Sequence, residues 1–315
     1  MNVITFLKNW MLPIAMIVGF SSYYIYLNIP GVECIRPQIS SVVSIVQPTL
    51  IFAMLFLTFC RVPLHDLRLR KWHLWLLLVQ VVLFMALGSV IIFMPDFEGR
   101  EIVESAMLCL ICPTATAAAV VVRKLGGNVA NNTLYLILIN IVVAIVIPAI
   151  VPLIHPRENS SFATSFLLII GKVFPLLILP ILVAYIVRHY MKRLNAVLTK
   201  NPDLPFYLWS VALALAMAMT AKSIHHSDVP LSIQLWIAIV SLICCAMQFL
   251  IGRKIGKHYG DEITAGQSLG QKNTVLAIWL GYTFFTPITA IAGGFYSIWH
   301  NSVNSYQLYK NRKQQ

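Results

Sequence analysis

Lys272 places a positive charge in the middle of an otherwise uncharged apolar stretch, within the run Gly266-Gln267-Ser268-Leu269-Gly270-Gln271-Lys272-Asn273-Thr274. A charge at the centre of a bilayer costs about 2.5–3.5 kcal/mol on insertion scales, so intramembrane lysines mark functional candidates. Asp261, Glu262, Glu101 and Glu104 fall at the ends of apolar stretches, which leaves Lys272 without a carboxylate at its own depth. A lysine near a span end can snorkel to the interface, and Lys172, near Gly171, is read that way. Lys272 lies too far from either end.

The run around Lys272 also interrupts a helix, since glycine at 266 and 270 weakens helical backbone. A second interruption is Cys112-Pro113-Thr114-Ala115-Thr116, where Pro113 removes a donor and clashes with the preceding turn. Non-helical backbone at membrane depth is tolerated only where it is buried in protein or lines a wet cavity. Helix N-termini at such breaks each carry about half a positive charge. Together with an unpaired ammonium they form a site that attracts an anion. Gln80, Asn132, Asn140 and Thr116 are further polar groups in apolar stretches. Singly they read as glue between helices, and as a set around two broken helices they read as a lined cavity.

The elements that hold these residues follow from composition. Of 315 residues, 59% are hydrophobic and 11% charged, and the mean hydropathy is +0.80. Soluble chains carry roughly 25% charged residues, and crossing a bilayer takes about 20 apolar residues in a helix. A soluble enzyme, a nucleic-acid-binding domain and a disulfide-rich module are excluded. The expected fold is an all-α polytopic membrane protein, one domain over 1–315, with the lipid bilayer as its partner. Its spans fall near 9–28, 40–60, 73–94, 102–122, 129–153, 164–187, 204–222, 230–251, 263–283 and 286–307. The division of the last two rests on Gly281 and Thr286-Pro287. The stretch after Lys8 is too long for a signal peptide and counts as a span.

The six cysteines form no disulfide framework, and Cys109-x-x-Cys112 lacks the other cues of a metal or redox site. Only Cys34 falls in an external loop, and Asn159-Ser160-Ser161 is a glycosylation sequon in another. Trp75, Trp209 and Trp299 near span ends fit aromatic belts, and His300 and Asn301 are expected at an interface. With the N-terminus inside, 17 of the 23 Lys and Arg fall in cytoplasmic loops or tails and four outside. The positive-inside rule therefore puts both termini in the cytoplasm and the protein in the plasma membrane, or the inner membrane of a Gram-negative cell. Ten spans divide into five plus five, about 1–155 and 160–310. Five is odd, so the halves enter the membrane in opposite directions. Each half breaks its fourth span, which is the pattern of an inverted-repeat transporter with its site at the breaks.

At these breaks the sequence resembles the bile acid:sodium symporter family of secondary transporters. The resemblance is carried by Cys112-Pro113-x-x-Thr116-Ala117, Gly127-Asn128-Val129-Ala130, Gly270-x-x-Asn273-x-x-Leu276-Ala277, Trp299-His300-Asn301 and the second-span run from Leu50 to Phe56. It covers essentially the whole chain. It implies a panel domain of spans one, two, six and seven, a core domain of the rest, and broken helices four and nine that cross. It also implies alternating access for an organic anion, with Thr116 and Asn273 touching the anion; Thr274, just past the same break, joins them as a candidate.

The departures concern sodium. Where the resemblance implies a Ser-Asn pair, hydroxyls in the fifth span, a Glu and a Gln, this chain has Ala118-Ala119, Asn132 with Leu136, Ser268 and Lys272. The expectation is that the Lys272 ammonium stands in for a sodium ion, donating to Gln80, Ser268 and carbonyls of helix nine. Gln271 and Asn132 complete this ion-site set, and Pro113 and Gly270 set the breaks. No cofactor or metal is expected. Transport is then sodium-independent, either uncoupled or coupled to a proton on Lys272. A sodium-coupled symporter is the alternative. A polytopic enzyme would need matched catalytic groups at depth that the sequence lacks, and a receptor would need no alternating access. Substrate and oligomeric state are not legible.

Overall fold

A bilayer offers the backbone no hydrogen-bonding partner, so apolar stretches close their bonds internally as helices. In a computed structural model, residues 3–31, 36–61, 67–156, 160–201 and 204–314 are described. The helices are α1 (Val3–Leu27), α2 (Arg36–Phe59), α3 (Lys71–Phe93), α4 (Arg100–Ile111), α5 (Ala118–Lys124), α6 (Val129–Ile154) and α7 (Phe162–Leu177). They continue as α8 (Leu179–Tyr190), α9 (Lys192–Thr199), α10 (Leu204–His225), α11 (Leu231–His258), α12 (Glu262–Gly270), α13 (Thr274–Phe284) and α14 (Ile291–Gln314). Six stretches have the length and apolarity to cross a membrane, from Pro37–Phe59 to Leu231–His258, with α7 and α8 counted as one. The chain is a multi-pass, all-helical membrane protein.

The sequence-based boundaries need three corrections. Gly281 lies inside α13 rather than at a span end, where a Cβ would come within 2.7 Å of the Ala290 Cα. The separation falls at Phe285–Ala290, which contains Thr286-Pro287, and the last helix runs from Ile291 to Gln314 rather than over 286–307. The loop after α8 holds a further short helix, α9, with no buried residue. The α7–α8 junction at Ile178 lies between Pro175 and Pro180, the usual cause of a kinked span.

Packing sorts the helices into two groups. In one, α1 lies on α10, α10 on α2, and α2 on α7 and α8. In the other, α11 packs on α12, α4 and α14, α3 on α4 and α6, and α13 on α14. The groups meet where α7 lies on α6 and where α10 lies on α13 and α14. Gly252 and Gly256 of α11, four residues apart, let α12 approach closely. A Cβ at Gly252 would stand 2.7 Å from the Ala265 carbonyl oxygen. Small residues at this spacing are a common device for close helix contact in membranes.

Candidate functional site at the paired helix breaks

Helix α4 stops at Ile111 because Pro113 cannot continue it and the residue before a proline is pushed out of helical geometry. Cys112 is accordingly extended, with φ −52° and ψ 132°. Helix α12 stops at Gly270, and Gln271 is extended with φ −90° and ψ 102°. The two extended strips pair with each other as an antiparallel bridge between Thr114 and Lys272. The Ala115 amide donates to the Gln271 carbonyl at 2.9 Å, and the Asn273 amide donates to the Pro113 carbonyl at 2.9 Å. The Thr114 hydroxyl donates to the Ser268 carbonyl. Each break thus satisfies the backbone groups that the other exposes, as backbone buried at membrane depth requires.

Helix ends leave carbonyls over, and side chains take them up here. The Lys272 ammonium donates to the Leu110 carbonyl at 3.2 Å. The Gln80 amide donates to the carbonyls of Ile111 at 2.9 Å and Cys112 at 3.1 Å. Its oxygen in turn accepts the Tyr135 hydroxyl at 3.1 Å. Lys272 is 1% exposed and has no ion-pair partner among the described residues. The titratable groups around it are the thiols of Cys112, Cys109, Cys244 and Cys245. An ammonium at a helix C-terminus sits in the negative end of the helix dipole.

This arrangement differs from the expected ligand set. Lys272 donates neither to Gln80 nor to Ser268 nor to the carbonyls of its own broken span, α12–α13: its stem carries the charge across to the last turn of α4. Ser268 is instead paired with Asn132, whose amide donates to its hydroxyl at 2.8 Å. Gln271 is buried, and its side-chain oxygen finds no partner among the described residues. The second break is narrower than expected. Gly266 lies within α12, and Gly270 is its last residue. A Cβ at Gly270 would come within 2.4 Å of the Phe249 ring, so the glycine there serves close packing at the break.

Asn273 caps α13, its side chain accepting the Leu276 amide at 3.2 Å, and Thr274 is the first residue of that helix. Both are buried, and Thr116 is half-buried. Asn273 and Thr274 therefore stand together at the N-terminal end of α13. Thr116 belongs to the facing strip, two residues before α5, which is a helix of only seven residues.

The burial of three groups was not read from the sequence. Glu104 is fully buried one turn into α4, held by Arg100 Nε at 2.8 Å and His155 Nε2 at 3.2 Å, with the Thr289 hydroxyl at 3.3 Å. The signal for the first contact was present, since Arg100 precedes Glu104 by one helical turn. His300 is fully buried rather than interfacial, its ring edge-on to Tyr296 at 5.7 Å, and neither ring nitrogen has a partner among the described residues. Tyr296 donates to the Gly270 carbonyl at 2.8 Å and accepts the Gln248 amide at 3.0 Å, which ties α14 and α11 to the second break. Trp209 is buried in the core instead of lying in a belt, while Trp75 and Lys172 are exposed. Cys34, His65, Arg157 and Asn159 lie outside the described residues.

Two broken helices close on each other around a buried ammonium inside a multi-pass helical protein, an arrangement met in secondary transporters. The model of the SBF-like CPA transporter family matches residues 35–294, and the chain belongs to that family. No curated protein matches the chain.

Proposed function

We propose that this transporter moves an organic anion by alternating access and does so without sodium, the Lys272 ammonium standing where a coupled relative would bind a cation. The carrying observation is the contact between Lys272 Nζ and the Leu110 carbonyl at 3.2 Å, inside a fully buried break. Carbonyls at the end of a helix attract a cation, and a covalently tethered one meets that demand without an ion from solution. The anion's contacts are assigned to Asn273, Thr274 and Thr116. A proton on Lys272 is the candidate coupling ion.

The architecture that goes with this reading is ten spans in two inverted sets of five, about 1–155 and 160–310. The panel consists of α1, α2, α7–α8 and α10, and the core holds the remaining spans. The packing into two helix groups supports this division. The basic residues of the loops support cytoplasmic termini and the plasma membrane, or the inner membrane of a Gram-negative cell.

The test begins with a thermal-shift screen of organic anions on purified protein, followed by counterflow of the best ligand in liposomes. Both are run in sodium chloride and in choline chloride. Equal counterflow in the two salts, together with loss of counterflow in Lys272→Gln, is the expected result. A sodium requirement in the wild type ends the substitution reading. Ligand binding without counterflow favours a receptor.

A further inference from the structure

A cleft of about 660 Å³ lies between α11 and α14 and at the first turn of α12, with Phe249 standing between it and the second break. Its walls change character along the helix axes. On α11 the wall passes from Ala246 to Arg253, and on α14 from Val303 to Lys310. Both helices run toward the same face, and seven residues of helix span about 10 Å. One end of the cleft is therefore apolar and the other carries two cations, while none of the lining residues is acidic. Among the described residues, Arg253 and Lys310 make no ion pair and no hydrogen bond in the structure. Leu250 and Tyr306, at 67% and 66% exposure, stand along the cleft, so it opens sideways toward lipid rather than only toward water.

Arg253 is held in place. A Cβ at Gly266 would come within 2.6 Å of its Cγ, so the arginine stem lies on bare backbone of α12. The guanidinium thus stands at the cleft while its stem rests on the helix that ends at the second break.

We propose that this cleft binds one anionic glycerophospholipid from the leaflet at that face, its phosphate between Arg253 and Lys310 and one of its two acyl chains along Ala246, Leu250 and Val303. A small soluble anion would use the two cations and leave the apolar end unfilled. A zwitterionic lipid would fill the apolar end and bring a cation of its own to the headgroup. Only an anionic lipid matches both ends. Basic clefts between membrane helices at the leaflet boundary hold such headgroups.

The test is native mass spectrometry of the full-length protein in detergent, titrated with phosphatidylglycerol, phosphatidylcholine or glycerol 3-phosphate. None of these readouts depends on transport, so the outcome is independent of the proposed substrate. Wild-type protein should retain one phosphatidylglycerol in preference to phosphatidylcholine. The Arg253→Ala, Lys310→Ala double variant should weaken that retention roughly 30-fold, the product of two surface cations. Ala246→Phe, which fills the apolar end with both cations intact, should also reduce it, with the melting temperature confirming that the variant is folded. Equal retention of the two lipids, unchanged retention in the double variant or in Ala246→Phe, or displacement of the lipid by glycerol 3-phosphate would each overturn the assignment.

Discussion

Lys272 belongs to one broken span and Leu110 to the other, and the ammonium of the first donates to the carbonyl of the second at 3.2 Å. The charge that made Lys272 conspicuous in the sequence therefore serves the far side of the bridge. Replacing Lys272 by Met keeps a flexible side chain of similar length and removes the donor. It should lower stability by about 1–3 kcal/mol, the cost of a buried acceptor left without a partner, as read from thermal melts in detergent. An unchanged melting temperature would mean that the contact contributes nothing to the fold.

Gln80 offers a second test of the same helix end. Gln80→Leu deletes both donors to Ile111 and Cys112 and strands the Tyr135 hydroxyl. Tyr135→Phe deletes only the hydroxyl. The first should cost at least twice the second, for which about 1 kcal/mol is expected. The double variant should fall short of the sum, because the two side chains share one bond. Additive losses would contradict the network.

At Gly270 the conflict is steric. Gly270→Ala should disturb the break because its Cβ would meet the Phe249 ring at 2.4 Å. Trimming that ring with Phe249→Leu should recover most of the lost thermal stability in the double variant. Failure of the rescue would point to backbone conformation rather than contact.

Glu104→Gln should destabilise the N-terminal end of α4 by about 1–3 kcal/mol. That is below the 3–5 kcal/mol typical of a severed buried pair, because Arg100 and His155 keep 25% and 27% side-chain exposure. Melts of the variant against wild type decide this. Thr289→Val, which removes only the hydroxyl donor, should cost less.

Asn273→Ala removes the cap of α13, which costs about 1 kcal/mol, but leaves the backbone bridge through its amide intact. Loss of anion binding well beyond that stability change, in the thermal-shift assay, is the expected result. Binding lost only in proportion to stability would confine Asn273 to capping.

The first break was legible because proline acts locally: Pro113 fixes where α4 ends, whatever surrounds it. The second was read too wide because glycine in a membrane helix has two uses. Gly266 resembles a breaker in sequence, yet it lies in helix against the Arg253 stem. Its neighbour α11 brings Gly252 and Gly256 to the same contact. The direction of the Lys272 side chain was not legible either. An extended backbone at 271–272 turns the side chain away from its own helix, and that geometry appears only once the two strips pair. Glu104 and His300 show the remaining limit. Sequence gives their position along a helix, while burial depends on which neighbour covers the face, and for Glu104 that neighbour includes Thr289, 185 positions away.

The Thr114–Lys272 bridge is a tie between two rods. With amides of each strip bound to carbonyls of the other, the four half-helices form a single stiff hub whose parts cannot slide apart without breaking backbone bonds. Any working stroke has to be taken up at the perimeter, in the loops at 125–128 and 285–290, and between the two helix groups. Under the alternating access proposed above, the hub moves as one piece.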